Sequence, residues 1–295
     1  MSGTDTDALL LGADLDPAQV RALIDGAIAE DLDGGVDVTS VACVPEDATA
    51  TLDLVARASG VVAGLPVAAA VFEEVCADPQ IEYLANDGDL VARGDVLLRI
   101  HGRTRELLTA ERTALNLLCH LSGVATLTSR WAQVVEEASG GRAHVRDTRK
   151  TTPGLRRLEK YAVRCGGGVN HRMSLSDAAL VKDNHVVAAG GVAEAFEAVR
   201  SQFPGLDVEV EVDSLEQLEE VLLAGADLVL LDNFTPDQMR EAVRLTAGRS
   251  RLEASGGLSL DVAAEVASTG VDYLAVGALT HSAPVLDIGA DLTDD

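Results

Sequence analysis

Lysine is almost missing from this chain: among 295 residues there are three, and none precedes residue 150. Positive charge of any kind is scarce, with 23 Lys and Arg against 48 Asp and Glu and a formal net charge of −25. So acidic a chain is a poor partner for nucleic acid or an anionic membrane, which bind through clustered surface cations. No apolar run reaches the roughly 18 residues that a membrane-spanning helix needs. The opening residues, MSGTDTDALLLGADLD, lack the positive segment of a secretory signal, so a cytoplasmic location is expected. Cys43, Cys76, Cys119 and Cys165 are scattered without a CxxC pair, which disfavours a structural zinc site and predicts reduced thiols. Internal sequence repeats are absent as well.

The charge that is present is unevenly placed. Between Arg142 and Lys182 lie ten basic residues against three acidic ones, a net +7, including all three lysines: Lys150, Lys160 and Lys182. Cations gathered in one place within an acidic chain predict a pocket for a small, multiply anionic ligand. The acidity elsewhere has two readings, a surface suited to a high-salt cytoplasm and the compositional drift of a GC-rich genome. Stability that fails to rise in molar salt would count against the first.

Hydrophobic periodicity divides the chain into two kinds of architecture. Residues 16–32 read as a helix started by Asp16 with Pro17 at its first position. The stretch 51–63 alternates as strand and breaks at Ser59-Gly60, predicting a hairpin, and NDGDLVARGDVLLRIHG (86–102) adds two short strands. That last segment is similar to biotinyl and lipoyl carrier hairpins, but those need a lysine at the turn, which is lacking. The first third is therefore expected to be an α+β domain with an antiparallel sheet. A helical pattern covers 104–138, with a break or a bend expected at Ser122-Gly123, and the domain join is expected inside it. Beyond it, strand candidates at 144–147, 179–182, 207–212, 227–231, 251–254 and 272–276 alternate with helical segments. That rhythm predicts a parallel sheet, and its length suggests an α/β barrel or part of one.

In such folds functional groups gather at the C-terminal ends of the strands. Here the strand ends carry Arg149-Lys150, Lys182 to His185, Glu211 and Asp213, Asp232-Asn233, Ser255-Gly256-Gly257 and Gly277-Ala278. Bare glycine N–H groups after the last two strands suit phosphate. Glu211 and Asp232 suit a divalent cation or sugar hydroxyls, and Arg149, Lys150, Arg172 and Lys182 suit carboxylates or a diphosphate. Blander readings compete with each. Asp213 and Asp237 read as helix caps, and Arg156, Arg157, Lys160 and Arg164 as a candidate solvated face, with Arg156 and Lys160 evenly divided between that and the site. His101, His120 and His281 read as structural, Cys165 as packing, while His171 beside Arg172 after a triple glycine reads as a site residue.

These residues carry a resemblance. The block DTRKTTPGLRRLEKYAVRCGGGVNHRMSLSDAALVKDNH (147–185) resembles the signature of the quinolinate phosphoribosyltransferase family. TAERTALNLLCHLSGVAT (109–126), VEVEVDS, LDNF, LEASGGL and GVDYLAVGALTHSAPVLDIGADL are similar to its other blocks, in the same order. AEDLDGGVDVTS (29–40) resembles the N-terminal block, departing from it in an extra Asp33 and a Gly-Val insertion before Asp37. The resemblance implies an incomplete, open α/β barrel over 118–285 and an N-terminal α+β domain over 1–117, with the tail 286–295 packing on the latter. It implies phosphoribosyl transfer from phosphoribosyl diphosphate to quinolinate with decarboxylation, aided by Mg²⁺, in a homodimer. Thr148, Arg149, Lys150, His171, Arg172 and Lys182 would line the substrate pocket, and Arg112 would reach the neighbouring subunit's site. Glu211 and Asp232 would meet the ribose and the metal, directly or through water. Ser255-Gly256-Gly257 and Val276-Gly277-Ala278 would cradle the 5′-phosphate, and Lys150, Glu211 and Asp232 would be the catalytic groups. Three rivals are a barrel aldolase with Lys182 as Schiff base, a related phosphoribosyltransferase acting on another base, and a patch for a polyanion.

Overall fold

The computed structural model describes residues 5–294. In chain order the elements begin with α1 (Thr6–Gly12), α2 (Pro17–Leu32), α3 (Val38–Cys43), β1 (Thr49–Ala56), β2 (Gly60–Val61) and α4 (Leu65–Val75). They continue with β3 (Gln80–Tyr83), β4 (Leu90–Val91), β5 (Val96–Arg103), α5 (Thr104–Ser139), β6 (His144–Arg146) and α6 (Arg156–Cys165). Next come β7 (Ala179–Val181), α7 (Asp183–Ala189), α8 (Val192–Gln202), β8 (Val208–Val212), α9 (Leu215–Leu223) and β9 (Leu228–Asp232). The chain closes with α10 (Pro236–Thr246), β10 (Arg251–Ser255), α11 (Leu260–Ala267), β11 (Tyr273–Ala275), α12 (Ala278–His281) and β12 (Ile288–Asp294). They form two compact units. The first takes residues up to Leu127, Thr152–Gly167 and the residues from Ser282 on; the second takes Thr128–Thr151 and Gly168–His281.

The first unit is built on a four-stranded antiparallel sheet in the order β12-β1-β5-β3, with a separate β2-β4 pair. The expected hairpin at Ser59-Gly60 does not form. β1 pairs with β5 and β12, whereas β2 pairs with β4, because the chain leaves the sheet after Ala56. Leu52 and Leu54 of β1 and Leu98 and Ile100 of β5 turn inward by strand alternation. They share this core with α4, whose Leu65 to Phe72 are all buried, against α1 and α2. Asp16 caps α2 by accepting from Ala18 N at 3.0 Å, with Pro17 at the first position as expected. The extra Asp33 is the left-handed end of that helix, at φ +44°.

Helix α5 runs from Thr104 to Ser139 without the break expected at Ser122-Gly123. These two residues are small for packing reasons. The Ser122 hydroxyl accepts from Ala63 N and donates to Ala63 O, and a Cβ on Gly123 would overlap Pro284 O. The compact units divide inside this helix, at 127/128, and the first unit also takes 152–167.

The second unit is a six-stranded, wholly parallel sheet in the order β6-β11-β10-β9-β8-β7. Its core is the alternate residues Val210, Val212, Val229, Leu231, Leu252 and Ala254, all buried, with α8 and α9 packed on β8 and α11 on β11. The opposite face follows the same period of two and is far more polar: Arg146 on β6, Glu209 and Glu211 on β8, Asp232 on β9, Glu253 and Ser255 on β10. All six strand ends border one cavity, so the sheet curls into an open barrel with β6 and β7 at its free edges. Two helix caps differ from expectation. Ser214, one residue nearer the helix than Asp213, caps α9, and Thr235 caps α10 in a capping box with Gln238, Asp237 lying already in that helix's first turn.

Candidate active site

At the C-terminal ends of the barrel strands lies a cavity of about 720 Å³, a size usual for ligand sites. Arg149 and Lys150 enter it from the turn after β6. Their loop is held by Thr148 Oγ1, which accepts from Lys150 N at 3.0 Å, and by Thr280 Oγ1, which donates to Lys150 O at 2.7 Å. The Arg149 Nε is buried without a hydrogen-bond partner, an unspent donor on the cavity wall. His171 and Arg172 come from the loop before β7. That loop is anchored by Asp147, fully buried, which accepts from His171 N at 2.9 Å and from Asn170 Nδ2 at 2.5 Å. The Arg172 guanidinium is held below its ordinary pKa, first by burial and then by Arg149 nearby, so the two cations stand close enough to repel. A bound dianion would relieve both effects.

Across the cavity, Lys182 Nζ donates to Glu211 Oε2 at 2.6 Å, an ion pair that commits the amine an aldolase would need as a nucleophile. The Asp232 carboxyl is pushed up by burial and then by the charge of Glu211, as expected of two carboxylates sharing a place for a cation or for hydroxyl donors. The turn after β10 exposes backbone rather than side chain. Gly256 has φ +100°, and a Cβ there would overlap Asn233 Oδ1. After β11, a Cβ on Gly277 would come within 2.9 Å of Lys150 Cδ and 3.2 Å of His281 Nε2.

Beneath this cavity is a charged floor. Glu209 and Glu253 are at most 3% exposed, and Arg146 Nη1 donates to Glu253 Oε2 at 2.7 Å while stacking on Tyr273. Burial raises both carboxyls far above the usual range. His171 Nε2 lies 2.8 Å from Glu209 Oε2 and 3.7 Å from Glu253 Oε1. These three residues offer ligand atoms within 4.8 Å of one another. Yet His171 Nδ1 accepts from Arg172 N at 2.6 Å, so the ring hydrogen sits on Nε2, where a metal would have to bind. Below the floor a second cavity of about 670 Å³ opens at the N-terminal strand ends, bordered by Asp207, Asp227 and Arg251.

Of the residues expected at the site, Thr148, Arg149, Lys150, His171, Arg172 and Lys182 all line the upper cavity, as do Glu211 and Asp232. Ser255, Gly256, Gly257, Val276, Gly277 and Ala278 complete it. Arg112 does not share that wall: it sits on α5 in the first unit with its side chain 63% exposed. The basic stretch is divided. α6, with Arg156, Arg157, Lys160 and Arg164, belongs to the first unit, where Lys160 is fully buried rather than on a solvated face. His120 is structural as expected, 2.9 Å from Glu159, and Cys165 is packed, its thiol pushed up to about 11 by burial. His281 is not merely structural, since it borders the cavity. Glu209, Glu253 and Arg146 were missed as well. The available signal was strand alternation, which puts Glu209 on the face of Glu211 and Glu253 on the face of Ser255.

Comparisons with known proteins agree with one another. The family model of the quinolinate phosphoribosyl transferase C-terminal domain matches residues 124–291, and that of the N-terminal domain matches residues 37–122. The chain is 52% identical over 277 residues to a nicotinate-nucleotide pyrophosphorylase (carboxylating) of Mycobacterium leprae, covering 92% of this chain and 96% of the relative. It is 40% identical to a probable enzyme of the same name from Bacillus subtilis, covering 93% and 94%. The crystal structure of NadC from Streptococcus pyogenes superposes with a TM-score of 0.90 at 43% identity, over 95% of this chain and 99% of that one. With both domain models matched in order and the relatives covered nearly end to end, the chain belongs to the quinolinate phosphoribosyltransferase family.

Proposed function

We propose that the chain transfers the phosphoribosyl group of phosphoribosyl diphosphate to quinolinate, releasing diphosphate and CO₂ and leaving nicotinate mononucleotide, a step of NAD biosynthesis. The observation that carries this reading is the meeting of cations, carboxylates and glycine turns from six strand ends around one cavity, in a chain of this family. Quinolinate brings two ring carboxylates, and the repelling pair Arg149 and Arg172, with an unspent Arg149 donor, is matched to them. The sugar phosphate suits the exposed backbone at Gly256-Gly257 and Gly277-Ala278.

In the first step the pyridine nitrogen attacks the anomeric carbon and the bond to diphosphate breaks. Glu211 and Asp232 face the positive charge that builds on the ribose, while Lys150 and Lys182 answer the negative charge of the leaving group. In the second step the bond from ring carbon 2 to its carboxylate breaks. The electron pair stays on that carbon beside the cationic nitrogen and takes a proton, for which Lys150 is the proposed donor. Mg²⁺ belongs to the proposal: Glu211 and Asp232, two carboxylates of which one is raised by the other, are a fitting oxygen pair. When bound it would neutralise charge on the diphosphate.

The remaining parts are a homodimer, in which the exposed Arg112 supplies a guanidinium to its partner's cavity, and a cytoplasmic setting. Four free cysteines are consistent with that setting, and among the described residues no helix is long and apolar enough to cross a membrane. The test is an assay with quinolinate, phosphoribosyl diphosphate and Mg²⁺, followed by CO₂ release and product chromatography. Stoichiometric CO₂ and nicotinate mononucleotide are expected; neither appearing, in low or in molar salt, overturns the reading.

A further inference from the structure

Barrel interiors are ordinarily filled by branched apolar side chains. This one has two carboxylates there, Glu209 on β8 and Glu253 on β10, beneath the residues proposed to hold quinolinate. They are poorly placed as a stability device. Replacing buried ion pairs with apolar side chains is often neutral or stabilising, so their worth to the fold is doubtful. Nor are they satisfied: both oxygens of Glu209 and Oε1 of Glu253 are buried without an aligned hydrogen-bond donor. One guanidinium, Arg146, is bonded to Glu253. Against the burial that raises its carboxyl, Glu209 is favoured first by the charge of Arg146 and then by Arg172 and Lys182 from the ligand side.

The His171 ring is the link between floor and ligand edge. Its Nδ1 is taken by the Arg172 backbone N–H, and its Nε2 lies 2.8 Å from Glu209 Oε2 and 3.7 Å from Glu253 Oε1. Neither nitrogen is left over for a substrate. A ring fixed at both edges sets where the Arg172 main chain lies, and hence where its guanidinium starts. Arg172 Nη1 is tied in turn to Ala178 O at 3.0 Å.

We propose that Glu209, supported by Glu253 and Arg146, is a positioning residue for quinolinate: with its carboxylate 2.8 Å from His171 Nε2, its charge holds the ring whose Nδ1 fixes the Arg172 main chain, and so keeps the cationic edge together before any anion binds. This rests on the functional reading above and adds to it a specificity for one of the two substrates. The phosphoribosyl side, built from Glu211, Asp232 and the glycine turns, shares β8 and β10 with these carboxylates but sits nearer the strand ends, whereas the His171 ring meets Glu209, Glu253 and the Arg172 main chain.

The experiment compares wild type, Glu209→Gln and Glu209→Met by calorimetric titration with quinolinate, steady-state kinetics in both substrates and thermal melting. Methionine removes the carboxylate at nearly constant length, and quinolinate Kd and KM are expected to rise about tenfold or more, as for the loss of one partly buried charge contact. KM for phosphoribosyl diphosphate should stay within about twofold, and the melting midpoint should hold or rise. Glutamine keeps the polar shape without the charge and should fall between wild type and methionine. Should the methionine variant not fold, the glutamine variant decides alone, by a rise in quinolinate KM without one for phosphoribosyl diphosphate. Unchanged quinolinate binding in the variants, or an equal loss for both substrates alongside a falling melting midpoint, overturns the inference. Wild type that binds no quinolinate overturns the functional reading instead.

Discussion

Gly256 is the residue at which backbone conformation and ligand chemistry meet most directly. At φ +100° an L side chain is strained, and a Cβ would also overlap Asn233 Oδ1, itself on a left-handed residue at φ +57°. Gly256→Ala should therefore cost roughly 1–3 kcal/mol of stability in chemical denaturation. It should also raise KM for phosphoribosyl diphosphate more than KM for quinolinate, since the displaced turn borders the proposed phosphate cradle. Equal effects on the two substrates would remove that turn from the phosphate's binding site. Lysine scarcity is informative at the same scale. Two of the three lysines, Lys150 and Lys182, line the cavity, whereas Lys160 is buried in the other unit.

At the scale of elements, the strand-end rule did most of the work. Once β6 to β11 are recognised as parallel strands, their C-terminal residues must lie on one rim, whatever the loops between them do. What it could not deliver was α6, whose cations stand between two rim segments in sequence yet pack in the first unit. Two anchors hold that helix there. Tyr161 donates to Asp87 Oδ2 at 2.6 Å, and Arg164 Nη2 donates to Ala13 O at 2.6 Å. Asp87 also caps α4 by accepting from Gly64 N and Leu65 N, so one buried carboxylate ties two helices. Tyr161→Phe strips one partner from this carboxylate and should cost about 1–3 kcal/mol in urea denaturation. A change below about 0.5 kcal/mol would mean that the tie contributes nothing, as for an ordinary surface substitution.

For the whole molecule the outstanding matter is the proposed sharing of sites between subunits. On the proposed function, Arg112→Ala should abolish turnover, as should Lys150→Ala, because each would remove a cation from every site. If Arg112 serves the partner's cavity, mixing the two inactive proteins lets mixed dimers form with one intact site. Recovery of up to about a quarter of wild-type activity is then expected, the share of intact sites under random exchange by symmetric pairing. Mixtures that stay inactive although subunit exchange is demonstrated would place Arg112 in its own subunit's site or in none.

By itself the sequence determined the periodicity, hence the antiparallel first domain, the parallel β/α alternation of the second, and the six strand ends with their chemistry. These follow from local rules, since two-residue and 3.6-residue repeats depend on neighbours in the chain. Tertiary structure alone decided the rest: which strands pair, why Ser122-Gly123 is a packing contact and not a break, and how the basic stretch splits between units. It also decided that Glu209 and Glu253 meet His171 beneath the cavity. The physical reason is that burial and charge coupling depend on residues far apart in sequence, and β8 and β10 are brought around one lumen only when the sheet curls.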